Sequence, residues 1–196
     1  MVLGALAPVF LTGEARLYLV DGANSFNPYV FAREARRRGL REDVLDRVFV
    51  TRAFTIHQIS AVTAEMMPPL LREQPSAVFG VLGLDHLFLE ESLRAKERAR
   101  LLGGVVADLA RLRSGGARLV MTHEPPPRGQ PWWKPMLEFG DVRGRVRPQG
   151  ENEWKLQIER CPDGTNAADF QYLFAGGNGL LEGLPPGSSS GATSGI

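Results

Sequence analysis

The sequence is poor in cysteine and in lysine, and it has no long apolar run. Its single cysteine, Cys161, cannot form an internal disulfide, which excludes a disulfide-stapled fold and is typical of a reducing compartment. No apolar stretch approaches the roughly 20 residues of a membrane-spanning helix. The apolar segment that begins at Met1 lacks a basic stretch ahead of it, so a signal peptide is not expected. We therefore expect a cytoplasmic protein.

Length and composition indicate one globular domain followed by a tail. The 196 residues are 43% hydrophobic and 23% charged, which is ordinary for a soluble fold with a sizeable core. We predict a domain over residues 1–175. Residues 176–196 are rich in Gly, Pro and Ser, and we expect a disordered tail there. The net charge of +1 neither requires nor excludes a nucleic-acid partner.

The most informative stretch is the unbroken apolar run Ala77–Leu84, which ends in a single carboxylate, Asp85. A run without polar alternation is typical of a strand that is buried on both faces in the middle of a parallel sheet. An acid at the carboxyl end of such a strand stands where open α/β sheets bind their ligands.

The rest of the chain alternates between short strand patterns and helical patterns. Further strands are predicted at Leu17–Val20, Val48–Val50 and Leu119–Met121. Helices are predicted at residues 29–38, 55–71 and 90–113. This order predicts an α/β fold with a mainly parallel sheet flanked by helices. An antiparallel C-terminal extension is predicted from strand patterns at residues 141–147, 153–160 and 170–174.

Three local signals refine the helices. Thr55 and Gln58 match a capping box, in which the two side chains satisfy free backbone amides reciprocally. Pro68-Pro69 is expected to kink or interrupt the helix that begins at this capping box. Gly103-Gly104 lies within the long helix, and we expect it to allow close packing against the sheet.

Four segments then follow one another in a recognisable order. They are Leu17–Pro28 (LYLVDGANSFNP), Val48–Gln58 (VFVTRAFTIHQ), Val81–Phe88 (VLGLDHLF) and Leu119–Glu124 (LVMTHE). Together they resemble the RecA/RadA recombinase superfamily of P-loop ATPases. The resemblance implies a RecA-like sheet and places Asp85 at the Walker B position, which is associated with Mg²⁺. It also places Asn24, His123 and Glu124 at the nucleotide edge.

Several groups that this family uses for catalysis are replaced in the 196 residues. A phosphate-binding loop needs Gly-x-x-x-x-Gly-Lys-Ser/Thr, and lysine occurs only at positions 96, 134 and 155, never in that context. The family's catalytic Glu, which orients the attacking water, falls at Ala23, whose methyl group cannot polarise water. The sensing Asn-Gln pair reads His123-Glu124. We therefore expect no catalytic residue, no bound cofactor and no ATP hydrolysis by this chain.

The loop at Pro125–Pro135 falls where these recombinases keep a DNA-binding loop. Aromatic rings stack on bases and cations hold phosphates, which suits single-stranded DNA. The candidate residues are Arg128, Trp132, Trp133 and Lys134. Paired Trp residues in a Pro-rich loop also pack as a lid over a core or a partner subunit, so both interpretations stay open.

The expected function is that of a non-catalytic RecA-fold accessory or regulatory protein in DNA recombination or repair. It would assemble with itself or with a RecA-like partner protein. One alternative is an ATPase whose phosphate loop comes from a partner chain or from an upstream segment. A second alternative is a metal-dependent hydrolase, because Asp21, Asp85, His123 and Glu124 are residue types that bind hard and borderline cations. A hydrogen-bonded polar sheet edge is the simpler interpretation of the same residues.

Overall fold

The computed structural model divides the chain into two compact units, Met1–Phe139 and Gly140–Ile196. It describes residues 14–37, 39–40, 42–88, 94–123, 134–140, 143–148, 153–160, 171–175 and 182–183. Four predicted site residues lie outside the described residues, namely Glu124, Arg128, Trp132 and Trp133. The single cysteine, Cys161, also lies outside them. The predicted domain of residues 1–175 stays a prediction. Of the predicted tail, the structure describes only Glu182–Gly183.

The first unit is built on a four-stranded, all-parallel sheet. Its strands are β1 (Leu17–Asp21), β2 (Val48–Arg52), β3 (Val78–Leu82) and β4 (Arg118–Thr122). Their order across the sheet is β2-β1-β3-β4, and every neighbouring pair is parallel. The predicted α/β class with a parallel sheet flanked by helices is confirmed. β3 is an inner strand and is buried along its whole length, because both of its faces are covered.

Helices cover the two faces of this sheet unequally. The helices are α1 (Pro28–Arg37), a 3₁₀ helix (Glu42–Arg47), α2 (Ile56–Ala61), α3 (Met67–Glu73), α4 (Leu84–Phe88), α5 (Ala95–Ser114) and α6 (Lys134–Phe139). On one face Leu17 and Leu19 pack with Phe31 of α1 and Val44 of the 3₁₀ helix. The larger core lies on the other face, where Val20, Phe79 and Val81 meet α2 and α5. The parallel sheet is therefore the centre of a three-layer arrangement.

The segment from α2 to α3 forms one helical run with a π-helical turn, Val62–Met66, in its middle. The capping box is confirmed: the amide of Gln58 donates to the Thr55 hydroxyl, and the Gln58 side chain accepts from the Thr55 amide. Pro68-Pro69 does not interrupt the run. The amide of Met67 donates to Val62 O, five residues back, so the prolines fall in the first turn of α3, where no amide donor is needed.

The long helix α5 corrects the packing predicted for Gly103-Gly104. Both glycines are exposed, and a Cβ atom added at either one would have no atom within 4 Å among the described residues. The buried side of α5 is instead lined by leucine and valine, at Leu101, Leu102, Val105, Leu109 and Leu112. Close approach to the sheet therefore does not explain the two glycines, and nothing else in the structure explains them.

The second unit holds four antiparallel strands in the order β5-β6-β7-β8. They are β5 (Arg143–Pro148), β6 (Glu153–Arg160), β7 (Gln171–Ala175) and β8 (Glu182–Gly183). The predicted antiparallel extension of the parallel sheet stays a prediction. None of the helices in the described ranges combines the length and the apolar composition of a membrane span.

Candidate functional site

The carboxyl ends of the parallel strands meet at one edge, as the sequence predicts. Asp21 of β1 is in register with Arg52 of β2 and Leu82 of β3, and Leu82 is in register with Thr122 of β4. The loops continue this alignment, because the amide of Gly22 donates to Leu82 O at 2.9 Å. The predicted polar residues of this edge that are described therefore stand on adjacent elements.

Asp21 is buried at the end of β1, where it organises the following loop. It is only 1% exposed. Its Oδ1 accepts from the amide of Ser25 at 3.0 Å and from the Ser25 hydroxyl at 3.3 Å, and its Oδ2 accepts from the amide of Phe26 at 2.8 Å. These three contacts use both carboxylate oxygens, so Asp21 acts as a structural brace for the loop.

The Asp21–Ser25 loop contains Ala23, to which the family resemblance assigns the place of the catalytic Glu, and Asn24, a predicted cofactor-binding residue. The methyl group of Ala23 lies against Gly83, since a Cβ added at Gly83 would stand 2.3 Å from it. Position 23 is thus a packing contact between the β1 loop and the β3 end. Asn24 is exposed and adopts a left-handed backbone with φ 52°, a conformation that Asn tolerates better than most residues.

Asp85 is buried at 3% exposure, but it does not follow β3 directly. β3 ends at Leu82, Gly83 turns the chain with φ +57°, and Asp85 is then in the first turn of the short helix α4. Among the described residues its Oδ1 has no hydrogen-bond partner. A buried acceptor without a partner destabilises a fold by about 1–3 kcal/mol, and more when it is charged.

The end of β4 supplies the remaining described groups of this edge. The amide of Gly83 donates to Thr122 O at 2.9 Å and lies 3.3 Å from the Thr122 hydroxyl. His123 follows and is half-buried. Across the described ranges, which omit Glu124, no group of three or more His, Cys, Asp or Glu side chains is arranged to hold a metal ion.

Lys134 is the one predicted nucleic-acid residue that the structure describes. It begins α6 and is exposed, with its Nζ 3.6 Å from Glu138 Oε1 one helical turn later. α6 is held on α5 by the buried Met136 and by Arg113, whose guanidinium donates to Phe139 O at 2.8 Å and lies 5.0 Å from the Phe139 ring centroid. Lys134 therefore projects from an anchored helix.

The sequence patterns did not predict an exposed apolar surface that is formed by residues just before, in and just after β2. Its exposed apolar side chains are Leu45, Phe49, Val50 and Phe54, with exposed fractions from 38% to 64%. The run Val48-Phe49-Val50 is apolar, as in an inner strand, and three residues are too few to distinguish an inner strand from an edge strand. The polar pair Thr51-Arg52 was the only sign of exposure.

Comparison with known proteins adds no family. No family model matches the chain, and no curated protein matches its sequence. The RecA/RadA resemblance therefore rests on the order of the four sequence segments, and membership of that superfamily stays a hypothesis.

Proposed function

We propose that this chain is a non-catalytic RecA-fold protein that acts as an accessory or regulatory partner in DNA recombination or repair. It works through contacts with other protein chains and with single-stranded DNA. The parallel sheet and the order of its segments are compatible with a RecA-like core. The antiparallel strands of the second unit would be the C-terminal extension of that core.

The observation that carries the non-catalytic part is the use of the sheet edge for structural contacts. Asp21 is engaged by three donors of its own loop. Ala23, at the position of the family's catalytic Glu, packs on Gly83. Phosphoryl transfer needs a positioned water and donors that stabilise developing charge, and no lysine in the 196 residues belongs to a phosphate-binding loop.

Asp85 favours one alternative from a different class. A buried carboxylate oxygen without a partner is suited to a cation that arrives with another chain. β4, at the far end of the sheet from β2, has only β3 as a neighbour among the described strands, and its residues are half-buried or exposed. A partner chain could add a strand there and supply the phosphate loop. The chain would then be one half of a composite ATPase.

The DNA part of the proposal rests on the Arg128–Lys134 region. Two cationic residues and two Trp residues within this stretch are the residue types that make the phosphate and stacking contacts of single-strand binders. Lys134 is exposed on an anchored helix, so its ammonium group is accessible to a phosphate. Binding of this kind weakens steeply as salt concentration rises, because counterions are released from the strand.

A phosphate-release assay with ATP, Mg²⁺ and single-stranded DNA tests the catalytic question. We expect no turnover above the rate of the buffer blank, with or without DNA. Turnover that disappears in Asp85→Ala would overturn the non-catalytic proposal. For the composite alternative, the genomic sequence upstream of Met1 and copurifying proteins would be searched for a Gly-rich Lys-Ser/Thr motif.

Fluorescence anisotropy of a labelled single strand at low salt tests DNA binding separately. Lys134→Ala is expected to weaken binding by a few-fold, because one phosphate contact is lost. Lys155→Ala is the matched control outside the predicted loop and should leave binding unchanged. A wild-type protein that leaves the anisotropy unchanged would remove DNA from the proposal.

A further inference from the structure

In the described part of the chain, β2 is an edge strand of the parallel sheet. Among the described strands it pairs only with β1. Its residues Phe49 to Arg52 are all exposed, whereas every residue of the inner strand β3 is buried. The side of an edge strand that faces away from the sheet carries backbone N–H and C=O groups without strand partners. Natural edge strands are commonly protected by charge, proline or a covering element. Here the middle of the strand is apolar.

Among the described residues, the exposed Phe49 of β2 is contacted by aromatic and cationic side chains from the β1 side. The Phe49 ring stacks on Tyr18 with centroids 5.0 Å apart, and the Arg16 guanidinium lies 5.7 Å from the Phe49 centroid. Both Tyr18 and Arg16 belong to β1 or directly precede it. Phe49 is still 42% exposed and Val50 38% exposed. Because successive side chains of a strand point to opposite faces of the sheet, Phe49 and Val50 leave β2 with exposed apolar area on both faces.

We propose that the β2 edge binds the β2 edge of a second copy of this chain, in antiparallel orientation about a two-fold axis at Val50. This register places Val50 opposite Val50, Phe49 opposite Thr51, and Val48 opposite Arg52. Residues directly opposite in an antiparallel pair share a face, and aromatic–β-branched pairs are favourable. The two four-stranded sheets would join into one eight-stranded sheet.

The charges of β2 fit this self-pairing. Its only charged residue, Arg52, lies at the strand end. In the proposed register the two Arg52 residues stand at opposite ends of the paired strands, four residues or about 13 Å apart. That separation exceeds the screening length at physiological salt, so the like charges do not oppose pairing. An isologous contact of this kind closes on itself and leaves no β2 edge exposed.

The proposed function requires contacts with other protein chains, and this inference identifies a second copy of the chain as one of them. It rests on the proposed function only for the biological role of that contact. ATP turnover would overturn the proposed function without affecting β2 pairing. A monomeric chain would overturn β2 pairing without restoring ATP turnover. The two failures are therefore distinguishable.

Sedimentation-velocity measurements on the full chain over a range of concentrations test the pairing. The wild type is expected to form a dimer. Val50→Lys and Val50→Glu each place two like charges directly opposite each other at the axis, and each is expected to weaken self-association by about tenfold or more. An equimolar mixture of the two variants pairs Lys with Glu and should recover the dimer. Circular dichroism checks that both variants keep the wild-type fold.

Tyr29→Lys is the control, because Tyr29 is an apolar surface residue with 85% exposure that lies outside β2. It should leave the dimer intact. A wild type that stays monomeric at all concentrations would overturn the proposal. So would a dimer that Val50→Lys leaves unchanged, or a Lys/Glu mixture that fails to associate. If deletion of residues 2–11 abolishes the dimer while both Val50 variants remain dimeric, the N-terminal segment and not β2 forms the contact, which would also overturn the proposal.

Discussion

Asp21 and Asp85 are both buried aspartates near the same edge of the parallel sheet, yet their surroundings differ. Asp21 accepts three hydrogen bonds from its own loop, whereas Asp85 has an oxygen without a partner among the described residues. Gly83 and Ala23 pack together where the two segments meet. Position at the carboxyl edge of the sheet therefore does not define a role, because Asp21 accepts hydrogen bonds from its own loop, whereas Asp85 has no partner for Oδ1 among the described residues.

The largest effect is expected from removal of the engaged acid. Asp21→Ala leaves the amides of Ser25 and Phe26 without their acceptor, and hydrogen bonds to a charged group contribute about 1.5–3 kcal/mol each. Because such contributions are not additive, we expect the free energy of unfolding to fall by about 3 kcal/mol. Urea denaturation measures it. Asp21→Asn keeps one acceptor and should lose about half as much, and an unchanged Asp21→Ala would show that the loop contacts do not stabilise the fold.

An intermediate effect is expected at the contact between the two segments. Gly83→Ala introduces a Cβ at 2.3 Å from the Ala23 methyl and a side chain at φ +57°, and should lower the free energy of unfolding by about 2 kcal/mol. Gly39→Ala is the matched control: its φ is +66°, and an added Cβ meets nothing within 4 Å among the described residues. It should lose about 1 kcal/mol from backbone strain alone. Equal losses in the two variants would mean that the Ala23 contact has no energetic weight.

The smallest effect has the opposite sign. Asp85→Asn removes a buried carboxylate that lacks a partner at Oδ1, and a neutral amide is less costly to bury than a charge. We expect the free energy of unfolding to rise by about 1 kcal/mol. Asp21→Asn, the same substitution at the other acid, should lower it. If both variants destabilise the protein, the contrast between the two acids is wrong, and Asp85 makes a contact that the described residues do not supply.

Much of the first unit could be predicted from the sequence. Buried parallel strands appear as unbroken apolar runs, and Thr55 and Gln58 define a helix start by local chemistry alone. The convergence of Asp21, Arg52 and Thr122 at one edge follows once the strands are known to be parallel. These features depend on short-range patterns or on a single topological rule.

The remaining features depend on longer-range geometry. In the π-helical turn the Met67 amide donates a hydrogen bond to Val62 O, so that the two prolines fall in the first turn of α3. No rule about proline alone predicts this arrangement. Gly103 and Gly104 were expected to face the sheet, but the helical phase that buries Leu102 and Val105 turns them to solvent. The exposure of Phe49 follows from the place of β2 at the end of the sheet. The residues of a strand do not by themselves determine its position in the strand order.

Isothermal titration calorimetry with ATP and Mg²⁺ tests most directly whether this sheet edge is structural rather than nucleotide-binding. The full chain is expected to give only heats of dilution, and the Asp85→Ala variant should give the same trace. Saturable heat with one-site stoichiometry in the wild type, absent in Asp85→Ala, would contradict a purely structural edge and would make Asp85 a nucleotide-binding residue.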